Sequence, residues 1–129
     1  MAQQEFIPYE QALELKELGF DELSLDAYYK TTDGGVSLVR FPDEERQINY
    51  PFERIPAPLY QQAFRWFREK YELYYRISGV KQSQYHYSID HQYKDGKWGM
   101  MGGYITTYEE AENACIDKLL EIAKQQDNE

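Results

Sequence analysis

Four groupings in this chain have residue types that could do chemistry. The available metal ligands are His86, His91 and Cys115. A zinc site needs three or four such groups converging on one point. His86 and His91 are five positions apart on a stretch that reads as a strand, so they point to opposite faces. Cys115 falls on the apolar stripe of a helix, where a buried, inert thiol is expected. Ser88, His86 and Asp90 have the residue types of a nucleophile triad and share one strand face. Alternate residues on a strand stand roughly 7 Å apart, too far for the ~3 Å hydrogen bonds that activate a serine. They read as a polar sheet face. The carboxylates are scattered or lie on helix surfaces, and no acid–base pair stands out. The run "GMMGG", residues 99–103, has neither phosphate-loop spacing. Gly99-Met100-Met101-Gly102 fits the G-x-x-G clamp of KH domains, but that clamp joins two helices and this one leaves a strand. A flexible link into the next helix is the expectation. No catalytic residue, metal ligand or cofactor is expected, and the chain reads as non-enzymatic.

Binding chemistry has more to work with. The stretch "APLYQQAFRWFREKYELYY", residues 57–75, holds seven aromatics and three basic residues. At 100° per residue, Leu59, Tyr60, Ala63, Phe64, Trp66, Phe67 and Tyr71 form one broad apolar face. Gln61, Gln62, Arg65, Arg68 and Glu69 fall opposite. Lys70 projects among the apolar positions and is expected to snorkel at their edge. Gln61, Gln62, Arg65 and Arg68, with Arg76 on the following strand, are the candidate partner-binding residues. Two readings stay open for them: they meet a partner, or they rest against acidic helices of their own fold.

The charge layout frames that choice. The 129 residues carry a net charge of −9, which argues against a surface that binds polyanions all over. Residues 1–53 hold 4 basic and 12 acidic side chains, a net −8. Residues 54–107 hold 8 basic and 4 acidic, a net +4, and residues 108–129 hold 2 basic and 7 acidic, a net −5. The basic block interleaves arginines with aromatics, a pattern that suits single-stranded nucleic acid. The 13 tyrosines suit either half-buried strands or an interface.

These residues must be positioned by a small fold. The length suggests a single domain over residues 1–129 with a frayed tail at about 125–129. "PYEQALELKELG" predicts a first helix with Pro8 in its first turn and Gly19 at its stop. "LDAYYK" and "VSLVR" flank "TTDGG", a hairpin signal. Residues 41–57 read as loop or irregular strand, with an extended piece around Ile48 to Phe52. The second helix is expected to start at Pro58. Three strands follow, the last two joined at Asp95-Gly96. That turn sets Tyr93 opposite Trp98 and His91 opposite Met100, so the tyrosines, Trp98 and Met100 form the expected core face. Thr107 and Glu110 make a capping box for the last helix. Its buried stripe is expected to be Ala111, Ala114, Cys115, Leu119, Ile122 and Ala123. The expected fold is α+β, order α-β-β-α-β-β-β-α, with helices on one face of an antiparallel sheet. "QALELKELGF" and "QAFRWFREKY" also echo each other, each preceding a strand with a Tyr-Tyr pair.

Three blocks, "IPYEQALELKELGF", "APLYQQAFRWFREKY" and "TYEEAENACIDKLLEI", resemble a set of small uncharacterised proteins frequent in Bacteroidetes genomes, their phages and mobile elements. The resemblance spans most of the chain and implies context, with no activity and no functional residues. Residues 73–124 also look like the arm-type DNA-binding domains of phage integrases. That resemblance implies basic residues on the exposed sheet face, here Arg76, Lys94 and Lys97, beside the acidic Asp90. The opening residues "MAQQEFIPYE" show no secretory signal, and no stretch reaches the ~18 apolar residues of a membrane span. The single cysteine fits a reducing compartment. Together these predict a cytoplasmic, non-enzymatic interaction protein of phage or mobile-element type. It would bind a protein partner through acidic helix faces and exposed tyrosines, without a membrane. The alternative is a nucleic-acid-binding module using residues 54–107.

Overall fold

The computed structural model describes residues 6–22, 24, 26–40, 53–81, 84–92 and 98–127, with the side chains of 91, 92 and 98–102 left aside. The fold is α+β, and every strand pairing among the described residues is antiparallel. Backbone contacts divide the chain into two compact units, Glu5–Gln61 and one built on Gln62–Glu129.

In the first unit, helix α1 spans Tyr9–Glu17. Pro8 stands just outside it as the N-cap, extended at ψ 159°, and its carbonyl accepts from Ala12 N–H at 2.9 Å. The helix stops where the sequence predicts. Gly19 takes φ 105°, its N–H donates to the Lys16 carbonyl at 3.0 Å, and Phe20 N–H donates to the Leu15 carbonyl at 3.0 Å. This is a Schellman closure, and its apolar pair, Leu15 and Phe20, is buried.

Strands β1 (Asp26–Lys30) and β2 (Val36–Arg40) form the predicted hairpin, with Lys30 opposite Val36. Asp33 closes the loop by accepting from the Thr31 hydroxyl and from Gly35 N–H, and Gly34 supplies φ 90°. A third strand, β3 (Arg54–Pro56), pairs with the other edge of β1 to give the order β2-β1-β3. The expected order omits β3, because its three residues lie in the proline-rich stretch read as loop. The extended piece expected around Ile48 to Phe52 lies outside the described residues. Ile7, Leu15, Phe20, Tyr29 and Ile55 are the large buried side chains here. Tyr28 donates its buried hydroxyl to the Ile7 carbonyl at 3.0 Å, and Tyr9 meets its ring edge-on at 5.4 Å. Arg40 grips the buried Asp26 carboxylate with two bonds, at 2.7 and 3.2 Å.

Helix α2 spans Tyr60–Tyr71. It starts two residues later than predicted. The Pro58 carbonyl accepts from Ile7 N–H at 2.8 Å and Leu59 forms a bridge with Phe6, so both are held in extended backbone. Leu59 is consequently 52% exposed and leaves the predicted apolar face; the other six members, Tyr60, Ala63, Phe64, Trp66, Phe67 and Tyr71, are buried. The helix closes on Glu72, whose φ of 57° is left-handed and whose N–H donates to the Arg68 carbonyl at 3.1 Å.

In the second unit, β4 (Tyr74–Lys81), β5 (Gln84–Gln92) and β6 (Trp98–Ile105) form a meander of order β4-β5-β6, followed by helix α3 (Tyr108–Asp127). The β5–β6 register differs from the expected one by one residue. Gln92 pairs with Trp98, His91 with Gly99 and Asp90 with Met100. A one-residue slip exchanges faces, so Trp98 and Met100 do not share register positions with the tyrosines. The prediction assumed a two-residue Asp95-Gly96 turn; that segment lies outside the described residues. Tyr87 instead pairs with Gly103, and its ring covers the space that a side chain there would fill.

Glu110 N–H donates to Thr107 Oγ1 at 3.1 Å, the expected N-cap. The stripe of α3 is wider than predicted. Ile116 and Leu120 join the buried set and Ala114 is only half-buried. The stripe packs mainly on β5, where Tyr87 and Ile89 are buried. Phe64 of α2 stacks on Tyr75 of β4 at 3.8 Å and 11°, so both helices cover the same face of this sheet.

Among the described residues the sequence echo has a counterpart in element order, since α1 and α2 each precede three antiparallel strands. The strand orders differ: the first strand is central in one sheet and at the edge in the other. The two halves are therefore not repeats of one topology.

Candidate functional site

Because α2 and α3 cover one face of β4-β5-β6, the register fixes what lies on the other. Three rows cross it: Tyr74 opposite Asp90; Arg76 opposite Ser88, which faces Gly102; and Ser78 opposite His86, which faces Tyr104. Alternation puts these on the face away from Tyr75, Tyr87 and Ile89. Past a register shift between Gly79 and Lys81, Lys81 pairs with Gln84 at the far end of the same face. Tyr104 is 65% exposed and Tyr74 43% exposed, large values for aromatic side chains. The His86 ring leans on Tyr104 at 4.9 Å and 47°. Arg76 is exposed and Asp90 half-buried, while Ser88 at the centre is buried. The surface combines two exposed phenols, an imidazole, a guanidinium and a carboxylate on one sheet.

The five predicted binding residues do not gather on one surface. Gln61, Arg65 and Arg68 are exposed along α2, and Gln62 is half-buried there. Tyr75 faces α2 through its stack with Phe64, so its neighbour Arg76 points to the opposite face of the sheet. Lys70 behaves as a snorkelling residue, with its ammonium 5.0 Å from the Trp66 ring and 5.4 Å from Tyr71. Lys94 and Lys97 lie outside the described residues. Tyr74, His86 and Tyr104 are the residues that sequence reasoning missed as a group. The polar face of Gln84, His86, Ser88 and Asp90 was readable by alternation. Recruiting Tyr104 required the β5–β6 register, which depends on the turn.

The covered side offers little to a reactant. Cys115 is fully buried, and burial, helped by the Glu112 carboxylate, pushes its thiol up to about 12. Glu112 is itself raised, by burial and then by Glu109. Tyr75 and Tyr108 are raised chiefly by burial, with Cys115 next for Tyr75 and Glu112 next for Tyr108. Such shifts hold the Cys115 thiol and the Tyr75 and Tyr108 phenols in their neutral forms. Ser88, His86 and Asp90 stand in successive rows of the open face at strand spacing, which leaves no direct relay between them. Among the described residues no group of three His, Cys, Asp or Glu side chains is placed to hold a metal ion. Among them, too, no helix is long and apolar enough to cross a membrane.

No protein-family model, curated protein or solved structure matches the chain.

Proposed function

We propose that the chain is a non-enzymatic, cytosolic interaction protein of phage or mobile-element type, and that the open face of β4-β5-β6 meets a protein partner. The observation that carries this reading is the exposure of Tyr74 and Tyr104 on a sheet face that neither α2 nor α3 covers. Tyrosine and arginine are the residues that interfaces favour, because they bring large contact area together with hydrogen-bonding tips. Asp90 among them suits a mixed-charge protein surface. The outer side of α3, where Glu110, Asp117 and Glu121 are exposed, adds an acidic surface for a basic partner.

A second reading, binding of single-stranded nucleic acid, is favoured by Arg76 and Lys81 beside two exposed rings. Against it stand Asp90 on the same face and the placement of Arg65 and Arg68 on α2, which denies this face a basic track.

A photo-reactive phenylalanine analogue placed at Tyr104 separates the two. Crosslinked protein at Tyr104, with none from the same probe at exposed Thr32, supports the protein reading. Crosslinks to oligonucleotide together with a low-salt mobility shift that Arg76→Ala abolishes would replace it with the second.

A further inference from the structure

The charge on the open face of β4-β5-β6 is arranged to match itself. Arg76 stands on β4 opposite Ser88, and Asp90 stands on β5 opposite Tyr74. They are two residues apart along the strands and one strand apart across them. At ~3.3 Å per residue and ~4.8 Å per strand, their Cα atoms lie about 8 Å apart. Among the described residues neither enters an ion pair. A two-fold axis lying in the contact plane, perpendicular to the Arg76–Asp90 line at its midpoint, would set each Arg76 against the Asp90 of a second copy. One rotation makes two identical ion pairs, the self-complementarity that an isologous interface requires. Lys81 lies six residues of register, roughly 20 Å, from the level of Asp90 and stays clear of that pairing.

The rest of the molecule sharpens the choice of occupant. With a net charge of −9, an arbitrary patch on one copy repels an arbitrary patch on another. This face is an exception, because its Arg76 and Asp90 give one cation and one anion that a two-fold rotation sets against each other. Its exposed rings, Tyr74 and Tyr104, are the groups that gain most from being covered.

We propose that the open face of β4-β5-β6 is a homodimer interface in which Arg76 of each copy pairs with Asp90 of the other. The inference rests on the reading of that face as a protein-binding surface and names its partner as a second copy of this chain. Three strands by eight residues cover roughly 400 Å² per copy, and both copies together bury about 800–1,000 Å². That is below a standard stable interface and in the range of weak, transient contacts.

The test is sedimentation equilibrium of the full chain from about 10 µM to 1 mM, a range set by the expected weak interface. Four proteins are compared: the parent, Arg76→Asp, Asp90→Arg and the double variant. The proposal expects a concentration-dependent dimer in the parent, at least about tenfold weaker association in each single variant, and recovery in the double variant. Circular dichroism of each single variant separates lost pairing from lost folding, since a variant that keeps the parent's spectrum and melting temperature has lost association alone. A parent that stays monomeric to 1 mM overturns the proposal. So does a dimer indifferent to either single change, or a double variant no better than the singles. The probe at Tyr104 keeps the two levels apart. Crosslinks to other proteins with a monomeric parent overturn the self-pairing and leave the protein-binding face standing. A monomeric parent with no protein crosslinks overturns both.

Discussion

The hydroxyl of Tyr71 gives a prediction whose size can be worked out. Tyr71 ends α2, is 9% exposed, and donates to Asp127 Oδ2 at 2.8 Å in the last turn of α3. Burial, then the hydrogen bond and charge of Asp127, push its phenol up to about 12 from an ordinary 10.0. Tyr71→Phe keeps the ring and removes the bond. A hydrogen bond to a charged group is worth about 1.5–3 kcal/mol, but Asp127 is exposed and water can replace the donor, so a loss of about 1 kcal/mol at pH 7 is expected. The pH arm is sharper. A phenol raised in the folded state stays protonated there while the unfolded chain has lost its proton. Its contribution is therefore complete below pH 10 and is lost as pH climbs toward 12. The slope is at most about 1.4 kcal/mol per pH unit, and solvent near Asp127 trims the total to about 1–2 kcal/mol. Urea unfolding followed by tryptophan fluorescence reports it, since Trp66 lies 5.6 Å from Tyr71. Tyr28, Tyr75 and Tyr108 are also raised, so both proteins lose stability in alkali, and the difference between them isolates Tyr71. Equal losses in parent and Tyr71→Phe between pH 9 and 12 would refute the bond.

Three further outcomes follow from the geometry. Cys115, buried and raised to about 12, should resist a disulfide reagent at pH 8 until denaturant is added; rapid labelling of the native chain would contradict its placement. Glu72→Gly should raise stability by about 0.5–1 kcal/mol, because Glu72 holds φ 57° at the close of α2, a conformation that glycine adopts without steric cost; thermal melts decide it. Gly103→Ala should cost about 1 kcal/mol in urea unfolding, since the new Cβ would lie 3.2 Å from the Tyr87 ring; an unchanged midpoint would mean that the ring moves aside freely.

Much of the fold was legible because local signals agreed with packing. Gly19 ends α1 by the geometry its position implies, Thr107 caps α3, and six of the seven apolar positions proposed for α2 are buried. The failures share a cause, a non-local pairing that overrides a local signal. Pro58 is a good helix starter, yet its carbonyl is used by Ile7 and Leu59 pairs with Phe6. Strand β3 has three residues and no alternation of its own, and exists because β1 offers it an edge. The β5–β6 register was argued from Asp95-Gly96, and a one-residue difference exchanges the faces. That slip also hid the site. The polar alternation of β5 could be read, but which β6 residue joins it depends on the register, and Tyr104 was not recruited. Arg76 lies apart from Arg65 and Arg68 because a strand turns neighbouring residues to opposite faces and α2 covers the face of Tyr75.

The central claim is that the open face of β4-β5-β6, with Tyr74, Arg76, His86, Asp90 and Tyr104, is where this protein meets another protein. Backbone amide NMR spectra of the chain, recorded across protein concentration and then with any protein captured at Tyr104, test it most directly. The account predicts shifts concentrated at 74–78, 86–90 and 102–105, with little change along 61–69 of α2. Shifts gathered on the Gln61, Arg65 and Arg68 side of α2, with the sheet face unmoved, would contradict it.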